Sequence, residues 1–253
     1  MSFRDGKRFV LCVALCVALA FPAKECLAAG VYLLNGVYYW HSSGGQPPVK
    51  LSPERARESI ERVNDPAHLV FTGLGPDGNQ SLTVDQDLRD RLFAVLGRAK
   101  RLRKPGVEVP IYGYVSSRPG DHTVLTARLD DMPGAPWRIY ELDVFADPRM
   151  IPEAKGLQPC AGVNAAVATK SGLRLGLTKD EVKAILGWPH AEDENTLSYG
   201  TYETLFLTLE EARARGYDAE AARRAAGRGR EIRFNFAQGQ VVSFYVLHSV
   251  NIE

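Results

Sequence analysis

The chain has 253 residues, 45% of them hydrophobic, with 31 lysines and arginines against 30 aspartates and glutamates. Such a balance offers no electrostatic basis for nucleic-acid binding. The length is sufficient for a buried core in one or two domains.

Residues 1–28 read as a signal peptide. Arg4, Lys7 and Arg8 form a basic start, residues 9–21 are apolar and uncharged, and Cys26-Leu27-Ala28-Ala29-Gly30 offers small residues for cleavage. The apolar run is too short to span a bilayer as a helix. Lys24 and Glu25 precede Cys26, which argues against lipidation. Removing Arg4, Lys7, Arg8, Lys24, Asp5 and Glu25 leaves 27 basic and 28 acidic residues. Of four cysteines, Cys12, Cys16 and Cys26 leave with this segment, so Cys160 remains alone and core burial must hold the exported chain together. With no CxxC and no nearby histidine, Cys160 reads as a buried or intermolecularly paired thiol.

After the signal, 31–40 (VYLLNGVYYW) reads as one strand; Tyr38-Tyr39-Trp40 would otherwise be a ligand platform. Ser52-Pro53-Glu54 opens a helix that runs to about residue 63. A strand over 68–72, a loop over 73–80 and a helix over 85–101 follow, the last with Leu88, Leu92, Val95, Leu96 and Ala99 on one stripe. The basic run 98–104 fits dipole compensation at that helix's C-terminus, or an anionic partner. Three strands, 109–116, 123–129 and 137–145, are separated by turn chemistry and form an antiparallel meander. Asp130, Asp131, Glu141 and Asp143 are capable of acid–base chemistry in principle, but a turn and a strand's outer side place them in solvent. Thus 31–150 is expected to be an α+β domain, and the Pro/Gly-punctuated segment 151–171 a linker.

The best-organised stretch is 172–200. Thr178 and Glu181 form a capping box, Asp180 and Glu181 favour the helix N-terminus, and Val182, Ile185 and Leu186 share one face. Gly187 is the expected C′ residue and Pro189 stops the helix. Strands over 196–199 and 202–209, an Arg/Glu/Ala-rich helix over 210–226, and a hairpin of 230–236 and 240–249 complete the unit.

These motifs, with Leu197-Ser198-Tyr199-Gly200 and the closing RFNFAQGQVVSF, resemble the SmpA/OmlA (BamE-like) family over about 172–253. The matching positions are Gly172, Gly176, Leu177, Thr178, Val182, Leu186, Gly187, Pro189, Tyr199, Phe236, Gly239 and Val242. The same small unit is similar to the repeat of β-lactamase inhibitor protein. The resemblance implies helix packed on a small antiparallel sheet, a Gram-negative envelope setting, and a non-enzymatic protein-binding or scaffolding role linked to outer-membrane assembly or integrity. The family is lipid-anchored, whereas this chain has no suitably placed cysteine, a further N-terminal domain and an insert over 210–230.

The reading is therefore an exported, periplasmic or secreted two-domain α+β protein that is not an enzyme, binds no cofactor and partners another envelope protein. An inhibitor-like binder of an extracytoplasmic enzyme is the alternative, and an enzyme with its site in the N-terminal domain the second. The matched residues Gly172, Gly176, Thr178, Glu181, Val182, Leu186, Gly187, Pro189, Tyr199 and Gly239 belong to the fold. Trp188 is the candidate partner anchor if its indole is exposed; partial packing on the sheet is the plainer alternative. Arg213, Arg215, Arg223, Arg224, Arg228 and Arg230 would meet anionic headgroups, or form a solvated helix face. The histidines His41, His68, His122, His190 and His248 have no ligand spacing, so no metal site is expected.

Overall fold

A computed structural model describes residues 30–34, 37–41, 49–50, 52–102, 109–130, 136–152, 154–206, 208, 210, 213 and 225–252, with backbone alone at 30–34, 37–41, 49–50, 55–56, 202–206, 225–227 and 251–252. The expected signal segment 1–28, Asp131, Arg215, Arg223, Arg224 and most of the expected 210–226 helix lie outside the described residues.

The chain opens with β1 (Gly30–Leu34), β2 (Val37–His41) and β3 (Val49–Lys50). The expected single strand over 31–40 is instead an antiparallel pair, Leu34 opposite Val37. Asn35-Gly36 between them is a strong two-residue hairpin signal that the aromatic and β-branched run obscured. Helix α1 (Pro53–Val63) follows as expected. A 3-10 turn (Pro66–Leu69) leads into β4 (Val70–Leu74), and β5 (Gln80–Thr83) returns at the end of the loop expected over 73–80.

Helix α2 spans only Arg89–Leu96. Asp85 has φ 67, outside the helical region, so the helix cannot begin there. Gly97 ends it with φ 85 and an N–H bond to Phe93 O. The basic run therefore lies beyond the helix, beginning at Arg98 and entering β6 (Arg101–Leu102). The meander is as expected: β7 (Ile111–Ser116), β8 (Val124–Leu129) and β9 (Ile139–Phe145) pair antiparallel in sequence.

The segment expected as a linker is built into the fold. It contributes β10 (Gln158–Cys160), parallel to β7, and β11 (Ala168–Thr169), paired with β4. Val163 and Val167 are buried, as is Cys160, whose thiol donates to Leu96 O at 3.2 Å. Burial pushes that thiol's pKa up, which leaves it an inert core group.

Helix α3 (Lys179–Leu186) carries the expected capping box: Thr178 N donates to Glu181 Oε2 at 2.8 Å and Glu181 N to Thr178 Oγ1 at 3.3 Å. After β12 (Ala191–Glu192), the two short strands expected over 196–209 are one, β13 (Thr196–Phe206). Strand β14 (Ala225–Ala237) begins before the expected helix would end, and β15 (Gln240–Ile252) completes the hairpin. Gln238 and Gly239 both have positive φ, 53 and 78, as a tight two-residue hairpin loop demands.

Twelve of the described strands form one sheet whose main path runs β10-β7-β8-β9-β15-β14-β13-β1-β2-β3; β11-β4-β5 form a smaller one. The protein is thus α+β. Strand β9 pairs with β15 from Ser243↔Phe145 to Leu247↔Glu141, so strands from both expected units lie in one sheet. One apolar cluster likewise joins Phe71, Leu92, Leu125 and Leu142 to Val182, Leu186, Phe234 and Phe244. No helix among the described residues is long and apolar enough to cross a membrane.

Candidate functional site

Trp188 is 83% exposed, beside buried Pro189 and His190. Its support explains why. Gly187 has φ 80 and caps α3 through an N–H bond to Lys183 O at 2.8 Å. A Cβ at Gly187 would approach Arg62 Cδ to 2.9 Å, so the position suits glycine on two counts. The carbonyl of Gly187 accepts the Tyr199 hydroxyl at 3.2 Å, while Arg62 Nη1 reaches Ala184 O at 3.5 Å.

On the other side, His190 Nδ1 accepts Gly200 N–H at 2.6 Å and Nε2 lies 2.7 Å from Ser59 Oγ. A backbone N–H can only donate, so the imidazole proton sits on Nε2 and points at Ser59. Burial lowers the His190 pKa to about 4. The neutral ring therefore joins α1, the α3–β12 corner and β13. It cannot take a proton from Ser59, because Nε2 already carries one, and so this is no nucleophile–base pair.

His68 makes a comparable link. Nε2 donates to Arg62 O at 2.8 Å and Nδ1 lies 2.6 Å from Ser171 Oγ, which also meets Thr169 Oγ1 at 2.7 Å. Burial lowers its pKa. At 2% exposure the ring ties the end of α1 to the 169–173 turn and is closed to a substrate.

Arg230, expected with the insert arginines on a solvated face, is buried on β14 instead. Its Nη1 donates to Val63 O and Asp65 O, both at 2.9 Å, and so satisfies carbonyls released at the end of α1. Arg228 also lies in β14. Arg213 is exposed.

Glu141 and Asp143, expected in solvent, are 3% and 6% exposed; Asp130 is half-buried. The register sets Thr126, Asp143, Tyr245, Arg233 and Ser198 in a row across five strands. Thr126 donates to Asp143 at 2.6 Å, Arg128 lies 3.2 Å from Glu141 without full hydrogen-bond alignment at Nε, and Tyr245 donates to Glu231 at 2.5 Å. Arg233 reaches Glu231 at 3.1 Å and Ser198 at 3.2 Å, and lies over the Tyr245 ring. The long arginine and tyrosine side chains cover the acids, which a pattern of strand alternation does not reveal. Burial, then the Asp143 carboxylate, raises the Glu141 pKa far above the usual carboxylate range, with Arg128 opposing. With Thr126, Asp143 and Ser198 buried under the partly exposed Arg233 and Tyr245, this row cross-braces the sheet.

The structure thus gathers Gly187, Trp188, Pro189 and Tyr199 at one corner with Thr178, Glu181, Val182 and Leu186 on the helix leading to it. Gly172 and Gly176 have φ 95 and 79, consistent with their expected special backbone positions. Ser59 and Arg62, which pin the corner with His190, went unnoticed in the sequence, where His190 was weighed only as a metal ligand; each reaches across a long separation. Among the described residues no cluster of three His, Cys, Asp or Glu is arranged to hold a metal. No protein-family model, curated protein or solved structure matches this chain. The likeness to SmpA/OmlA proteins rests on its residue pattern.

Proposed function

We propose that this chain is a non-enzymatic, exported component of a bacterial cell envelope that binds another envelope protein through the Trp188 corner. The observation that carries the reading is the 83% exposed indole on a backbone fixed from both sides. Tryptophan is enriched among residues that dominate binding energy, and a rigid support lowers the ordering cost of association. The capped helix, Gly-Trp-Pro corner and Tyr-containing strand are also the elements that carry the SmpA/OmlA likeness. In this reading 172–253 is the BamE-like binding unit, and the N-terminal strands extend and brace its sheet. Its role is scaffolding linked to envelope assembly or integrity.

The test is capture from envelope fractions solubilised in mild detergent, with the wild-type chain and Trp188→Ala as baits. The wild type should enrich a discrete envelope protein that Trp188→Ala fails to retain, while the two differ in stability by less than about 1 kcal/mol. Equal retention by both baits, or no enrichment by the wild type, defeats the proposal. A large loss of stability in Trp188→Ala would make the indole a structural residue and defeat it equally.

A further inference from the structure

Helix α1 is held to the body of the protein mainly by hydrogen bonds. Six of its eleven residues are charged. Among its described side chains Val63 alone is buried, with Ser59 and Ile60 half-buried. A helix of this length is marginal in water and depends on packing an apolar face, and here that face is narrow. Polar bonds from four other elements complete the attachment. From the α3–β12 corner, His190 Nε2 donates to Ser59 at 2.7 Å; from the 3-10 turn, His68 Nε2 donates to Arg62 O at 2.8 Å. From β14, Arg230 donates to Val63 O and Asp65 O, and from β13 Thr201 donates to Asn64 Oδ1 at 2.7 Å. Of these four partners only the histidines are of a type that titrates between about pH 5 and 8.

Ser59 and Arg62 lie three residues apart, on one face of the helix. Each histidine meets that face with a protonated Nε2 and uses a bare Nδ1 as acceptor, from Gly200 N–H in His190 and from the Ser171 hydroxyl in His68, both at 2.6 Å. A second proton turns Nδ1 into a donor. The Ser171 hydroxyl is able to rotate and accept it, whereas Gly200 N–H only donates. His190 is therefore the sensitive bond.

No neighbouring charge relieves it. On α1, Arg62 is paired with Glu58 at 2.9 Å. On β12, Glu192 is paired with Lys183 at 2.9 Å and lies 3.7 Å from Lys179. On β13 the nearest group is the Tyr199 ring, 6.3 Å away. Burial alone depresses the His190 pKa. Around His68, Asp65 favours protonation and Arg230 opposes it. His248, opposite Arg230 on β15, lies 3.2 Å from Asp85, and Lys170 and Arg174 are exposed.

We infer that α1 is an acid-released clasp: protonation of His190 detaches it from the β-sheets, which stay folded. Ser59 and Arg62 leave the Trp188 corner with it, so acid frees the backbone beneath the indole. The effect on a partner rests on the Trp188 reading; detachment of α1 does not. A ring held at about 4 when docked, and at about 6.5 once freed, raises the opening constant about twentyfold from pH 7 to pH 5.

Hydrogen exchange of the full chain, read by mass spectrometry at pH 7 and pH 5 with each rate divided by the intrinsic rate at that pH, tests this. Protection over 53–63 should fall at least about tenfold further than protection over β8 and over 230–236 of β14. His190→Gln offers one acceptor and one donor without titrating, and should remove most of the extra fall. An equal fall in all three segments, no fall over 53–63, or an undiminished fall in folded His190→Gln overturns the inference. Should the variant not fold, the wild-type comparison decides alone. No partner is added, so failure of the Trp188 proposal would leave these results unchanged.

Discussion

Gly200 N–H donates to His190 Nδ1 at 2.6 Å and thereby fixes the ring proton on the side facing Ser59. Burial of the ring makes the imidazole resist protonation. Its pKa in the folded state is about 4, against about 6.5 in an unfolded chain. Between these values the unfolded chain binds a proton that the folded one refuses, so stability falls as pH falls. His190 should contribute a loss of about 3 kcal/mol across that window, and buried His68, also lowered, acts in the same direction. Urea unfolding at pH 7, 5.5 and 4 measures the slope. His190→Gln should flatten part of it; an unchanged slope in that variant would contradict the assignment.

Glu141 predicts the opposite sign. Its folded pKa is raised, so the folded state retains a proton that the unfolded chain loses above about pH 4.3. Its contribution is complete below that value and declines as pH rises through the raised folded pKa. Glu141→Gln keeps a neutral group of similar shape beside Asp143. It should match the wild type near pH 5 and exceed it in melting temperature near pH 8. A variant that tracks the wild type at every pH, or is much less stable throughout, would show that Glu141 is not held neutral.

Arg230 spans Val63 O and Asp65 O from the neighbouring strand. Arg230→Met leaves both carbonyls without that partner and should cost about 2–4 kcal/mol. Amide exchange should quicken in the last turn of α1 more than in β7 or β8. Uniform loss of protection would mean that Arg230 supports the whole sheet rather than the helix end.

Features closed within a few residues were legible in the sequence. Thr178 with Glu181, Gly187 and Pro189 define α3 because cap, stop and apolar face lie within a dozen positions. The meander was readable from its turn residues. Position 85 misled because the apolar stripe of Leu88, Leu92, Val95, Leu96 and Ala99 was extended back to it, whereas Asp85 adopts positive φ and α2 starts four residues later. The pairing of Glu141 with Leu247 and the reach of Arg230 to Val63 leave no local trace. For that reason the segment around Cys160 looked like a tether and proved to be core, and Glu141 and Asp143 looked wet and proved buried. At the Trp188 corner the turn was legible, but the clamp by Ser59 and Gly200 was not.

Strand β15 lies between β9 and β14, so a late strand is internal to the larger sheet. During synthesis β9 has only β8 to pair with until residues 240–252 leave the ribosome. A nascent chain stopped before them exposes the open side of the β7–β8–β9 meander and leaves β14 without its hairpin partner. Such long-range closure is slow and exposes strand edges to aggregation. The larger sheet cannot lock before β15, internal to it, has been made.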